Sequence, residues 1–213
     1  MTVKERYAGV IDWFRKAMPI AETELHYDNP FQLLVAVILS AQCTDKRVNQ
    51  ITPALFKAYP TAYEMSQASV DDIFGYISSC SYPNNKAKHL KGAATMLVEQ
   101  FGGEVPSEMA SLVKLPGVGR KTANVMLAVV FNQAAMAVDT HVFRVSERIG
   151  LTTNSKTPLA TEKTLCKYIP SEDIPLAHHW LILHGRYVCK ARRPDCLNCG
   201  LTSMCRYYQR ESK

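Results

Sequence analysis

No stretch of this 213-residue chain alternates apolar and polar side chains over the length of a strand. That argues against a β-rich fold. No apolar run approaches the ~20 residues a membrane-spanning helix needs; the longest reaches only from Leu33 to Leu39. Low-complexity tracts, internal repeats and long single-sign tails are also missing, so neither a solenoid nor a disordered polyelectrolyte is expected. The first residues, Met1-Thr2-Val3-Lys4-Glu5-Arg6, are charged and lack an apolar signal core. A soluble, cytoplasmic protein is expected.

The composition is 47% hydrophobic and 21% charged, with a formal net charge of +6. A globular core is affordable at this length, and the charge permits a nucleic-acid partner without demanding one. Helical periodicity dominates. Val3, Tyr7, Val10, Phe14 and Met18 fall on one face. Phe31 to Ala41 is apolar nearly all round, as a buried helix is. Thr44 or Asp45 caps a helix running to about Tyr59. Short helices follow Pro60-Thr61 and Ser69-Val70, and Ser81 to Asn85 reads as a loop. A stripe of Ala87, Leu90, Ala94, Leu97 and Phe101 marks the next helix, with Lys86, Lys88 and Lys91 off the stripe. Gly102-Gly103 ends it. Ser107 opens a short helix. Asp139 N-caps one that closes at Gly150, and Thr161 to Ile169 and Pro175 to Tyr187 are the last helices expected. The reading is an all-α chain of about ten helices.

The central stretch is Leu115-Pro116-Gly117-Val118-Gly119-Arg120-Lys121-Thr122-Ala123. A tight turn opening into a helix aims unpaired backbone N–H groups outward, which makes an anion site suited to phosphate. Lys121 falls in the first turn of that helix, where the dipole disfavours its ammonium form, so its amine is a candidate nucleophile. The turn by itself fits a structural helix hairpin with a solvent-facing lysine equally well.

Of seven cysteines, Cys189, Cys196, Cys199 and Cys205 form a C-x6-C-x2-C-x5-C array. An odd total with four crowded together does not fit a secreted disulfide framework. Zinc and an iron–sulfur cluster both remain open on spacing, the cluster slightly ahead because four thiolates suit it. Lys190, Arg192 and Arg193 lie inside the first inter-cysteine loop, which is either a phosphate contact or a solvated basic loop. Cys43 and Cys80 carry no required chemistry and read as core thiols.

Taken together, the hairpin, Val138-Asp139-Thr140-His141-Val142-Phe143-Arg144, the cysteine array and Leu39-Ser40-Ala41-Gln42 with Thr44-Asp45 resemble the endonuclease III family of DNA glycosylases over essentially the whole chain. The resemblance implies a two-domain helix-hairpin-helix DNA glycosylase fold. One domain, about residues 22–133, is a six-helix barrel with the hairpin at about 107–131. The other joins 1–21 to 134–213 and carries a [4Fe-4S] cluster on Cys189, Cys196, Cys199 and Cys205, in the loop 189–205. Double-stranded DNA with a damaged base or abasic site is the implied partner, bound by a monomer in the cleft between domains, with nucleoid association and no membrane.

The same resemblance implies excision of oxidised pyrimidines of the thymine glycol type, then β-elimination at the abasic site. Lys121 becomes the Schiff-base nucleophile, tuned by burial and by its helix end, and Asp139 the essential carboxylate. A damaged base must leave the stack to be attacked, and the space it vacates must be filled. Gln42 is expected in that space and Tyr82 as an aromatic wedge. Gly117, Val118, Gly119 and Arg120 are expected on phosphate, with His141, Lys190, Arg192 and Arg193 as further DNA contacts. Asp45 is expected as a helix cap. The rival readings are a monofunctional glycosylase of the same fold and a non-catalytic iron–sulfur DNA-binding module.

Overall fold

The computed structural model describes residues 1–211, and every regular element among them is helical: twelve α-helices and one 3₁₀ turn. The chain forms two compact units. One is contiguous, Glu24–Phe131; the other joins Met1–Thr23 to the chain from Asn132 onward. Among the described residues no helix is long and apolar enough to cross a membrane.

The contiguous unit is built around α2 (Pro30–Ser40), in which every residue from Phe31 to Leu39 is buried. Asn29 caps it through the Gln32 amide, and Pro30 opens it at the position that needs no N–H. Thr44 caps α3 (Asp45–Ala58), so Asp45 is the first helical residue rather than the cap. Capping boxes start α4 (Ala62–Gln67, Thr61 with Glu64) and α5 (Val70–Ile77, Ser69 with Asp72). Both lie against α6 (Pro83–Phe101), while α2 packs on α3, α6 and α8 (Arg120–Val129). Leu33, Leu34, Leu39, Leu55, Leu90 and Leu97 are essentially fully buried, each worth roughly 1.5–3 kcal/mol.

Two expectations need correction here. The segment expected as a loop to Asn85 is helical from Pro83, because proline stands at N1 and Tyr82 makes the turn in a left-handed conformation (φ 55°). The short helix expected from Ser107 starts later and is one turn, α7 (Met109–Leu112).

In the second unit, α1 (Val3–Ala17) is capped by the Thr2/Glu5 box and buries Tyr7, Val10, Ile11 and Phe14. This face joins a core formed by α9 (Thr140–Ile149), α10 (Pro158–Tyr168) and α11 (Ile174–Tyr187). Phe14 stacks on Trp180 with ring centroids 5.6 Å apart and planes 3° from parallel. Polar groups tie the first helix to the distant chain. The Tyr7 hydroxyl donates to the Leu151 carbonyl at 2.8 Å, Arg6 donates to the Ile149 carbonyl at 3.0 Å, and the Trp180 indole donates to the Met18 carbonyl at 2.8 Å. Arg15 grips the nearly buried Asp173 carboxylate with two bonds, at 3.0 and 2.6 Å. A further helix, α12 (Arg206–Glu211), follows the last cysteine and was not expected from the sequence.

Candidate functional site

The hairpin lies in the contiguous unit. After α7, the Val118 amide donates to the Leu115 carbonyl at 3.0 Å and closes the turn. Leu115 and Val118 point inward and are buried; Gly117, Gly119, Arg120 and Lys121 are exposed. Gly117 adopts φ 80°, and a Cβ there would lie 2.9 Å from His89 Cβ on α6. Gly92, one turn further along α6, meets Pro116 in the same way: an added Cβ would lie 3.1 Å from the proline Cγ. The hairpin therefore rests on α6 at two close approaches. Gly119 is the N-cap of α8 and brings no side chain to its first-turn amides. Lys121 is the second residue of that helix. Its exposure differs from the burial expected of it, because its neighbours on the hairpin face are glycines and the side chain stands at the helix tip.

Gln42 and Tyr82 sit at the tips of two loops and are both exposed with left-handed backbones, φ 53° and 55°. The loops are joined. Ser81 donates its hydroxyl to the Gln42 carbonyl at 2.6 Å. The buried Lys86 ammonium donates to the carbonyls of Leu39 (2.7 Å) and Ala41 (2.8 Å) and to the Ser81 hydroxyl (3.3 Å). It thus satisfies carbonyls orphaned at the end of α2, where the helix dipole favours a cation. Burial still pulls its pKa below the ordinary lysine value. Cys43 and Cys80 follow and precede these tips, and their sulfurs lie 3.7 Å apart.

In the second unit, Asp139 is the N-cap of α9, its Oδ1 accepting the Val142 amide at 2.8 Å. The side chain is half-buried. His141 is half-buried, 3.2 Å from the Arg144 guanidinium, and close against Gly185 of α11. These contacts make it part of the packing between the two helices.

The four cysteines of the array line one pocket between α9, α11 and α12. Two arginines of α9 organise it. Arg144 donates to the carbonyls of Gly185 (2.9 Å) and Cys189 (3.2 Å). Arg148 donates to the carbonyls of Lys190 (2.7 Å) and Ala191 (3.0 Å), stands 3.6 Å from Cys189 Sγ, and lies over the Tyr207 ring. His184 Nε2 is 3.6 Å from Cys199 Sγ, and burial pushes this histidine down to about 4. Burial, followed by the neighbouring cysteines, pushes the Cys196 thiol up; burial does the same at Cys199. Four thiolates in this pocket need a cationic centre. All four thiols line this one pocket, and four cysteine sulfurs are a donor set that suits a thiolate-held metal centre. Lys190, Arg192 and Arg193 are exposed on the loop, with Arg193 left-handed at φ 51°.

Arg148 and His184 escaped sequence reasoning, while Arg144 entered it only as the end of a quoted signature and Lys86 only as a residue off an apolar stripe, neither with a role. The two arginines fall i, i+4 on the helix that Asp139 caps, which is the one local signal that could have singled them out.

The fold and hairpin define a class. Residues 35–171 match the model of the HhH-GPD superfamily of base excision DNA repair proteins. Within it the chain is 47% identical to endonuclease III of Rickettsia felis over 93% of both chains, and 41% identical to that of Escherichia coli, covering 97% of this chain and 98% of that one. A structure of a trapped endonuclease III–DNA covalent intermediate superposes with a TM-score of 0.93 at 43% identity, covering 100% of both chains. The chain belongs to the endonuclease III family.

Proposed function

We propose that this chain is a bifunctional DNA glycosylase and abasic-site lyase that removes oxidised pyrimidines of the thymine glycol type. The observation that carries the reading is Lys121 held at the tip of an uncapped helix, directly beside the turn of Gly117 and Gly119. The first-turn amides take a backbone phosphate on the 3′ side of the lesion. Val118 anchors the turn, and Arg120 adds charge beside it. The neutral Lys121 amine attacks C1′ of the sugar. The glycosidic bond breaks, and the base leaves with its electron pair and takes up a proton. The sugar ring then opens: the C1′–O4′ bond breaks, O4′ takes up a proton given up by the nitrogen, and the resulting protonated Schiff base acidifies the C2′ proton, whose loss expels the 3′ phosphate by β-elimination. Asp139 supplies the carboxylate that offsets positive charge developing on the sugar. Gln42 fills the space the extruded nucleotide leaves, and Tyr82 stacks on an exposed neighbour, worth roughly 1–3 kcal/mol.

Cys189, Cys196, Cys199 and Cys205 hold a [4Fe-4S] cluster in this reading; when bound it neutralises the thiolates and stiffens the loop that offers Lys190, Arg192 and Arg193 to the DNA backbone. The solved structure at 43% identity, described as a covalent endonuclease III–DNA intermediate, supports the lyase reading over a monofunctional one. Borohydride trapping on duplex DNA carrying thymine glycol tests it. Wild type forms a covalent adduct and Lys121→Ala forms none. Base release by the wild type without any adduct would sink the lyase assignment.

A further inference from the structure

We propose that Cys43 and Cys80 are a reversible modification site: a hydroperoxide-type oxidant joins them in a disulfide that locks the Gln42 loop to the Tyr82 loop. The two sulfurs already touch at 3.7 Å, across a gap of 37 residues in sequence. A disulfide needs about 2.05 Å, so the sulfurs must close by roughly 1.7 Å, within reach of side-chain rotation. The surroundings favour that closure. Ser81 and Lys86 already hold the two loops together by hydrogen bonds. Burial, and after it the contact with Cys43, pushes the Cys80 thiol up to about 11, with Lys86 and Arg47 acting weakly the other way, so the resolving step rests on the closeness of the two sulfurs.

The chemistry follows from the difference in exposure. Cys43 is half-exposed and Cys80 is 5% exposed. The Cys43 sulfur attacks the distal oxygen of the hydroperoxide, giving a sulfenic acid and releasing the alcohol, or water from hydrogen peroxide. Cys80 then attacks the Cys43 sulfur, the S–S bond forms, and the sulfenic oxygen leaves as water with the Cys80 proton. The two thiols lose two electrons and the O–O bond takes them. A dithiol reductant reverses the reaction.

The effect on DNA rests on the function proposed above, in which both tips enter the duplex. A covalent tie holds them at a fixed spacing, and lesion binding weakens. The test is hydrogen peroxide on the full-length protein, followed by non-reducing tryptic peptide mapping and hydrogen exchange. Cleavage at Lys46 and Lys57 places the two cysteines on separate peptides. A linked pair in wild type, lost on dithiothreitol treatment and absent in Cys43→Ser and in Cys80→Ala, is expected. Exchange at residues 41–43 and 80–82 should slow at least threefold with the bond present. Absence of that linked pair, or unchanged exchange with the bond formed, overturns the proposal. A bond that forms and slows exchange while leaving affinity for abasic-site duplex unchanged refutes instead the placement of Gln42 and Tyr82 in the DNA.

Discussion

Replacing Gly117 by alanine tests how the hairpin is held. The residue adopts φ 80°, where an L side chain costs about 1–2 kcal/mol. The new Cβ would also lie 2.9 Å from His89 Cβ, 3.1 Å from its Cγ and 3.2 Å from its Nδ1. The imidazole can swing aside, but the His89 Cβ is fixed to the backbone of α6. Overpacking of this kind costs about 1–3 kcal/mol, so the whole change should remove roughly 2–5 kcal/mol. Gly119→Ala is the control: nothing lies within 4 Å of its Cβ position and its φ is not positive, so its effect should stay within about 1 kcal/mol. His89→Ala combined with Gly117→Ala clears the ring atoms but leaves the Cβ contact, and should restore at most about half of the loss. Urea unfolding reads these differences as midpoint shifts at constant m-value. Affinity for an abasic-site duplex should fall in parallel with the Gly117 variant. A Gly117→Ala protein within about 0.5 kcal/mol of wild type, or one more stable than Gly119→Ala, would refute the reasoning.

Two further outcomes follow from buried polar groups. Lys86→Met takes the ammonium away from the Leu39 carbonyl and leaves the Ala41 carbonyl only a long bond from the Ser81 hydroxyl (3.4 Å), and should cost roughly 2–4 kcal/mol, measurable by denaturant unfolding; hydrogen exchange should rise at both loop tips. Burial, and secondarily Arg186, holds His179 at about 4, below the ordinary 6.5. As pH falls through 6.5 the unfolded chain takes up a proton that the folded chain does not. Stability is therefore full above that pH and declines towards pH 4, by about 3 kcal/mol from this residue. His179→Gln should lower the slope of the unfolding midpoint with pH over that window without abolishing it, because His184, also held at about 4, titrates there too.

Much of this architecture is legible from local rules. Asp139 was readable as a cap, and Thr44 as one of two candidates with Asp45, because their oxygens precede helical faces; Gly102 and Gly150 were readable as terminators because glycine admits the positive φ that both take. Proline misled the reading at one place: Pro83 looks like part of a loop, yet its fixed φ suits the first helical position. Lys86 was equally misleading. A lysine off the apolar stripe reads as solvated, but here the ammonium ends on carbonyls brought in by α2, which no local pattern announces. The approach of Cys43 to Cys80 and the grip of Arg148 on the cysteine loop are likewise tertiary. Lys121 and the cysteine array were visible because their chemistry is compressed into short spans, whereas the residues that hold them in position are spread along the chain.

The partition of the chain has a consequence for how it is made. The Glu24–Phe131 unit is contiguous and can fold as soon as it clears the ribosome. The first helix cannot. Tyr7 and Phe14 are completed by Leu151, Trp180 and the helices around them. At about 5–20 residues per second, that apolar face waits roughly 8–30 s for its partners to be translated. During synthesis the earliest segment is thus the last to be buried, an interval in which a nascent-chain chaperone would find Tyr7, Val10, Ile11 and Phe14 uncovered.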